Sequence, residues 1–584
     1  MSANEISFRI GGEAGQGVES SGAGFCTALT RAGLQVIGVP SYYERIRGGH
    51  NFYSIRAANR EEPVWSVREN VDVLIALNAE TVAEHHGCLN PGGVIIVDEQ
   101  VNLGPLSAQL EGRDLHLLAV PIKQIAVEHG GEVMTNTAAL GIAAAVTGFD
   151  VAHMISVIED NFRSKGERVV DANRAVAQEA YDLAQARYGL LFRQPLGRRE
   201  APPRLSLHCN HAFAMGALVG GCKFLAGYPM TPWSSVLEYL AGHAAEWGLV
   251  VKHAEDEIAA VNMAVGAAYA GVRAMTGSSG GGFDLMVEGL SLAAMTETPL
   301  VVLLSQRPGP ATGLSTRTAQ GDLFMAIYAS HGEFPRIVLA PHTPEEHFYV
   351  AARALNLADK YQCLVIVLSD HYFANTVVSC DRSLFDLDAV INGIERGKWL
   401  TPEQLDEMDD YKRFALTEDG ISPRVIPGSH PKAVFLTSSN EHREDGHITE
   451  DPRIVVAMAN KRLGKRKAIA EEMRPPLRYG PEQADLTLVS WGSSYGPVRE
   501  AVNVLNASGQ SANMVQFVDL WPFPAQAARE ALAGARRAVV AETNITGQLA
   551  HLIETEAGIA GLERMRKYDG RPFTYEYILA HLED

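Results

Sequence analysis

Residues 252–271 read KHAEDEIAAVNMAVGAAYAG: Glu255, Asp256 and Glu257 in a row, then a helix made almost wholly of small and apolar side chains. A helix that is apolar on every side belongs in a core, so three acids at its mouth need a reason. One reason is local, since acids at a helix start satisfy free N–H groups and the positive end of the dipole. The other is chemical: one carboxyl is buried so that it keeps a proton for transfer near neutral pH.

Other stretches carry binding chemistry of their own. AGYPMTPWSS (226–235) holds Thr231 between Pro229 and Pro232 at a strand's carboxyl end, where open α/β sheets bind ligands; a helix N-cap is the plainer use of such a threonine. TGSSGGGFDLMVEGL (276–290) offers a backbone cradle, or a place where two subunits come close. QRPGPATGLSTRTAQGDL (306–323) carries Arg307 and Arg317, and an arginine in such a loop can clamp a carboxylate. GGEAGQG (11–17) can present N–H groups to a phosphate or serve as a tight turn. It is not the GxGxxG fingerprint, and no well-placed acid follows for a ribose. In SYYERIRGGHNFYSIR (41–56), Arg45, Arg47 and Arg56 flank two glycines, which suits an anionic ligand or a loop salted against local acids.

These side chains need several domains to position them. At 584 residues the chain calls for three or four. Its 46% hydrophobic and 20% charged residues are those of an ordinary globular protein. A net charge of −19 argues against a general nucleic-acid or anionic-membrane binder. The N-terminus lacks a signal-peptide pattern and no apolar run reaches about 18 residues, so a cytoplasmic location is expected. The six cysteines (26, 88, 209, 222, 363, 380) form no CxxC pair. Disulfides are not expected, and neither a zinc site nor a complete iron–sulfur site can be built at these spacings, so no metal is assigned to this chain.

Apolar runs suited to buried parallel strands alternate with helical patterns, which predicts α/β architecture throughout. In the first segment they are VDVLIALN, GGVIIVDEQ and LHLLAVP. In the second they are KFLAGYP, LVVKHAE, VRAMTGS, PLVVLLSQ, PRIVLAP and CLVIVLSD, and in the last DLTLVSW, SANMVQFVDL and RAVVAETN. The Pro-rich, basic RQPLGRREAPPRL (193–205) reads as a linker, and residues 400–480 as a structured connection ending in the basic helix KRLGKRKAIAEEMR.

Taken in order, GGEAGQG, ERIRGGH, GYPMTP, AEDEIAAVNMAVGAAYAG, TGSSGGGFDLMVEGL, GPATGLSTRTAQGDL, TEDGISPR, GHITEDP and ETNITGQL resemble the alpha subunits of 2-oxoacid:ferredoxin oxidoreductases. The resemblance runs the whole length, in the form with a gamma domain fused at the N-terminus. It implies a Rossmann-like gamma domain over 1–192 that closes on coenzyme A, a thiamine-diphosphate-binding domain of the pyrimidine type over 206–397, a linker over 398–482, and a transketolase C-terminal-like domain over 483–584. It further implies a beta subunit that holds the diphosphate, Mg2+ and a [4Fe–4S] cluster, a dimer of alpha–beta heterodimers, and ferredoxin as electron acceptor. This chain has no GDG…N magnesium loop, GDL at 321–323 being the nearest string, and is expected to be inactive alone.

The resemblance also distributes roles. Thiamine's exocyclic amino group becomes a base when a carboxylic acid protonates the opposite ring nitrogen; the family's glutamate falls on Glu257, leaving Glu255 and Asp256 for strand-end, capping or contact duties. A solvated glutamate is ionised at neutral pH, so burial at the mouth of a small-residue helix keeps the proton at hand. Tyr228, Pro229, Gly280 and Gly281 would line the cofactor. Thr231 would bond the substrate carboxylate or developing oxyanion, and Arg317, in the STRT string, is preferred to Arg307 as the carboxylate's cation. Arg45 and Arg47 would meet the phosphates of coenzyme A, and Asn544 matches a family string without an assigned role.

The fused form and the EDGISPR region resemble enzymes acting on 2-oxoglutarate, in either the oxidative direction or the reverse carboxylation of succinyl-coenzyme A. Pyruvate and branched or aromatic 2-oxoacids are the alternatives, and a non-catalytic docking subunit is the rival from another class. A self-contained thiamine decarboxylase or transketolase would need a magnesium loop in this chain.

Overall fold

The computed structural model describes residues 4–42 and 49–582. They form two compact units, one of Met1–His208, Asn375–Leu384 and Thr574–Asp584, the other of Cys209–Ala374 and Phe385–Phe573.

The first unit is built on an eight-stranded sheet of β1 (Asn4–Glu13), β2 (Gln35–Ser41), β3 (His50–Asn59), β4 (Val71–Ala76), β5 (Leu89–Asp98), β6 (Leu115–Val120), β7 (Arg204–His208) and β14 (Val377–Asp381), in the order β6-β5-β4-β1-β3-β2-β14-β7. The three apolar runs are the parallel strands β4, β5 and β6, and β1 joins them in parallel. Strands β2 and β3 are antiparallel additions that the apolar pattern does not announce. The disguise in β3 is Arg56: it is buried, pairs with Glu5 at 2.7 Å and donates to the Ser66 carbonyl at 2.8 Å. Arg56 is thus a structural cation, not part of an anion-binding loop. Arg45 and Arg47 lie outside the described residues.

The second unit contains a seven-stranded sheet, β18-β12-β13-β11-β10-β8-β9, from β8 (Phe224–Gly227), β9 (Val250–His253), β10 (Ala274–Ser278), β11 (Leu300–Gln306), β12 (Arg336–Leu339), β13 (Leu364–Asp370) and β18 (Asp519–Trp521). All six apolar runs of this segment are strands, parallel as expected; β11 and β13 are buried at every position, as strands covered on both faces must be. β18 comes from the C-terminal segment and pairs antiparallel with β12. A five-stranded sheet follows, β15-β17-β16-β19-β20, formed by β15 (Leu477–Tyr479), β16 (Leu486–Trp491), β17 (Ala512–Phe517), β19 (Arg537–Glu542) and β20 (Glu563–Arg566). One hydrophobic core joins the two sheets through Leu304, Ile366, Trp491, Phe517 and Leu549.

The connection before β15 has a small core of Leu405, Tyr411, Val425 and Ala433 and ends in the helix Pro452–Glu472. Three of its basic residues, Lys461, Arg462 and Lys465, are buried, while Arg466 and Lys467 face solvent. Lys461 and Lys465 are both buried against the single carboxylate of Glu297, and Arg462 pairs with Glu441 at 2.5 Å.

Candidate active site

Strand β8 lies between β9 and β10, so the chain leaves it first to one side and then to the other. Such a reversal opens a crevice at the strands' carboxyl ends, the usual ligand site of an open parallel sheet. Residues 228–232 follow β8, residue 279 follows β10, and Glu257 begins the helix entered after β9.

The three acids part company here. Glu255 is exposed. Asp256 is the N-cap of the helix Glu257–Tyr269, its carboxylate accepting the Ala259 N–H at 2.7 Å. Glu257 is only 2% exposed and accepts a 2.8 Å hydrogen bond from Ser278 Oγ at Oε1. Room for it comes from Gly282 on the next helix, Gly280–Met295: a Cβ there would stand 2.3 Å from Glu257 Oε1 and 2.0 Å from Ser278 Oγ. Capping and carboxyl burial thus both occur, on adjacent residues.

The loop after β8 is pinned by Trp233, which the sequence did not single out. Its indole N–H donates to the Tyr228 carbonyl at 2.8 Å, and its ring lies where a Cβ on Gly227 or Gly277 would be, 2.3 Å and 2.4 Å away. The sequence carries no local signal for this, since Gly277 meets the Trp233 ring only in the fold. Asn210 adds a hydrogen bond to the Pro232 carbonyl at 3.0 Å. Tyr228 and Pro229 are exposed and Thr231 half-buried. Ser278 Oγ also lies 3.6 Å from Met230 Sδ, which ties this loop to the Glu257 cluster.

Of the two arginines, Arg307 reaches this loop, donating to the Thr231 carbonyl at 2.8 Å; burial lowers its pKa. Arg317 is half-buried, and its Cβ would be 2.9 Å from a Cβ on Gly570. The segment after Arg317 is held from the C-terminal part of the chain. Gln320 is fully buried, donates to the Trp491 carbonyl at 2.8 Å and accepts from Ser494 Oγ and the Thr543 N–H at 3.0 and 2.9 Å. Asn544 donates to the Gln320 carbonyl at 3.0 Å and to Glu542 at 2.7 Å, and accepts the Gly547 N–H at 2.7 Å. That is its place in the fold: a clip on the loop carrying Arg317.

The set fits a thiamine pyrimidine. A buried carboxyl, a cradle that any Cβ would fill, and Gly281 with nothing within 4 Å of its Cβ position leave a flat ring room to approach. In the first unit, GGEAGQG opens on a cavity of about 650 Å³ bordered by Glu13, Glu19, Asn51 and Phe52; its described wall has two acids and His208 but no lysine or arginine. No helix among the described residues is long and apolar enough to cross a membrane.

Residues 215–461 match the family model described as the thiamine-diphosphate-binding part of pyruvate flavodoxin/ferredoxin oxidoreductase. Residues 7–183 match pyruvate ferredoxin/flavodoxin oxidoreductase, and residues 484–578 match core domain II of pyruvate:ferredoxin oxidoreductase. The alpha subunit of 2-oxoacid:ferredoxin oxidoreductase 2 from Aeropyrum pernix is 33% identical over 99% of this chain and 97% of its own length. The 2-oxoglutarate oxidoreductase subunit KorA of Mycobacterium tuberculosis is 29% identical over 98% of this chain and 90% of its own. A solved 2-oxoglutarate:ferredoxin oxidoreductase from Magnetococcus marinus, with 2-oxoglutarate, coenzyme A and succinyl-CoA bound, superposes with a TM-score of 0.90 at 32% identity, covering 99% of both chains. The chain therefore belongs to the 2-oxoacid:ferredoxin oxidoreductase family as an alpha subunit, with its thiamine-diphosphate-binding part within residues 215–461.

Proposed function

We propose that this chain, with a partner beta subunit, oxidatively decarboxylates 2-oxoglutarate with coenzyme A, giving succinyl-CoA and carbon dioxide, passing two electrons to ferredoxin and releasing one proton to solvent. The observation that carries the reading is Glu257, a carboxyl 2% exposed, bonded by Ser278 and faced by a glycine that leaves it space. The relatives named for 2-oxoglutarate over nearly the full chain favour that substrate.

Thiamine diphosphate, when bound, supplies a carbon nucleophile and an electron sink. Glu257 holds the proton that makes the pyrimidine's amino group basic, and Ser278 fixes the carboxyl's rotamer by occupying Oε1. Asp256 caps the helix, leaving Glu257 free of that duty. Tyr228, Pro229, Gly280 and Gly281 border the cofactor. Thr231 bonds the substrate's carboxylate or oxyanion, and Arg317 supplies that carboxylate's cation. Arg45 and Arg47 meet the phosphates of coenzyme A, and the gamma domain, 1–192, closes over it. The remaining divisions are 206–397 for the cofactor, 398–482 as connection and 483–584 as the transketolase C-terminal-like part.

The partner is the beta subunit with Mg2+, the diphosphate site and a [4Fe–4S] cluster, in a dimer of heterodimers working in the cytoplasm. The helix Glu257–Tyr269 supports such a partner. Its sequence is apolar all round, yet Ile258 is 49% and Met263 43% exposed, and Leu285 on the neighbouring helix is 48% exposed. An apolar flank beside the site needs a cover.

The test is co-purification with the partner subunit and assay of ferredoxin or viologen reduction with coenzyme A and 2-oxoglutarate, pyruvate or branched 2-oxoacids. The complex should prefer 2-oxoglutarate and the chain alone should be inactive. Turnover by the chain alone would overturn the two-subunit reading.

A further inference from the structure

The loop that runs from Arg307 to Thr318 is tied down at both ends. At its start Arg307 donates to the Thr231 carbonyl at 2.8 Å. Within it the Leu314 N–H donates to the Pro308 carbonyl at 3.0 Å, and the Arg317 N–H to the Leu314 carbonyl at 3.1 Å. Residues 309–314 are exposed, so the tip adds no buried anchor. At the far end Thr318 is 4% exposed, and its N–H donates to the Gly570 carbonyl at 3.1 Å. The Thr318 hydroxyl accepts the Tyr372 N–H at 3.2 Å and donates to the carboxylate of Asp370.

Asp370 is the last residue of β13 and only 1% exposed. Besides Thr318, its carboxylate accepts the Ser493 hydroxyl and, at 3.0 Å, the Phe373 N–H. Ser493 precedes the helix Tyr495–Ala507, so one carboxylate gathers the loop's end, the turn after β13 and the C-terminal part of the chain. The base of the loop is closed beside it. Gln306, the register partner of Asp370 on β11, donates to the Ser369 carbonyl at 3.1 Å and accepts the Asp322 N–H at 3.0 Å.

We propose that Asp370 is a positioning residue: through the Thr318 hydroxyl it fixes Arg317 relative to Thr231, and so sets how tightly the substrate's carboxylate is held. The proposal rests on the reading of Arg317 and Thr231 as that carboxylate's partners. Arg317 immediately precedes the anchored Thr318, and Thr231 is held by the other end of the same loop. A displacement of about 1 Å is enough to spoil such a clamp. Hydrogen bonds to an ionised acceptor are the strong ones, and all three partners of Asp370 are donors. An amide in its place keeps one oxygen but turns an NH2 group towards at least one of them.

The test uses the reconstituted alpha–beta complex and measures kcat and KM for 2-oxoglutarate and for coenzyme A. Thr318→Val removes the hydroxyl and keeps the shape, while Asp370→Asn replaces the shared acceptor. Each should raise KM for 2-oxoglutarate about tenfold, or about 1.4 kcal/mol, close to the worth of one hydrogen bond to a charged group. The values of kcat and of KM for coenzyme A should stay near wild type, and Thr318→Ser, which keeps the hydroxyl, should keep the wild-type KM. The double variant should be no worse than Asp370→Asn alone, because both changes cut the same bond. A Thr318→Val complex with an unaltered KM for 2-oxoglutarate, or one whose kcat and both KM values move together, would overturn the positioning role. Arg317→Gln separates the two readings. If it raises KM while Thr318→Val does not, only the role of Asp370 falls; if it leaves KM unaltered, the reading of Arg317 falls and this proposal with it.

Discussion

Ser278 and Glu257 meet through a 2.8 Å hydrogen bond from Ser278 Oγ to Glu257 Oε1, joining the end of β10 to the start of the helix that follows β9. The bond leaves Oε2 as the oxygen that can carry and deliver a proton. Glu257→Gln preserves the shape and the acceptor but removes the exchangeable proton. Viologen reduction by the complex should fall about 10²- to 10⁴-fold, the usual worth of a positioned acid, with little change in thermal stability. Full turnover in this variant would remove Glu257 from the proton relay.

Gly282 and Gly281 make a paired test of the cradle. An alanine Cβ at 282 would sit 2.0 Å from Ser278 Oγ and 2.3 Å from Glu257 Oε1, so Gly282→Ala must push the carboxyl out of place. Its activity should approach that of Glu257→Gln. At Gly281 a Cβ meets nothing within 4 Å. Gly281→Ala should stabilise the helix by up to about 1 kcal/mol yet weaken thiamine diphosphate binding, measured by titration of the complex. Unaltered cofactor affinity would place the cofactor elsewhere.

The sequence exposed the parallel strands because covering a sheet on both faces demands unbroken apolar runs, as in LVVLLSQ and LVIVLSD. It hid β3, where the buried cation Arg56 interrupts the run and is neutralised by Glu5, a partner distant in sequence. Spacing could name three acids at a helix mouth but not their directions; those depend on Ser278 and Gly282, which the fold brings in from elsewhere. Likewise Lys461 and Lys465 look like part of a solvated basic run until Glu297 is seen beneath them.

Asn544 clips the Gln320 carbonyl and Glu542 with its amide N–H groups, and its oxygen receives the Gly547 N–H. Asn544→Ala strands these buried groups and should cost about 2–4 kcal/mol, since each such loss is worth about 1–3 kcal/mol. Asn544→Asp keeps the acceptor but sets a second carboxylate against Glu542, whose own pKa is already raised by burial. It should be no better tolerated than alanine. Thermal melts of the three proteins check the order, and a wild-type melting temperature in Asn544→Ala would remove the clip.

Glu297 tests whether the buried ion cluster holds the basic helix in place. It is 1% exposed and sits between Lys461 and Lys465. Burial by itself would raise its pKa, but the two ammonium groups, aided by Arg413, outweigh that and hold it well below its ordinary value of 4.5. The sign follows from linkage. A carboxyl with a depressed folded pKa contributes stability that is present above about pH 4.5 and lost as pH falls below it. The melting temperature of the wild type should therefore start to drop below about pH 4.5 and keep dropping as pH falls towards the depressed folded pKa. Glu297→Gln should lose about 3–5 kcal/mol at neutral pH, the cost of leaving buried charges unpaired, and should lack much of the acid-induced drop. Replacing all three members with apolar residues, Glu297→Leu with Lys461→Met and Lys465→Met, removes charge and counter-charge together and should recover most of that loss. Parallel acid titrations for wild type and Glu297→Gln would assign the acid sensitivity to other carboxyls.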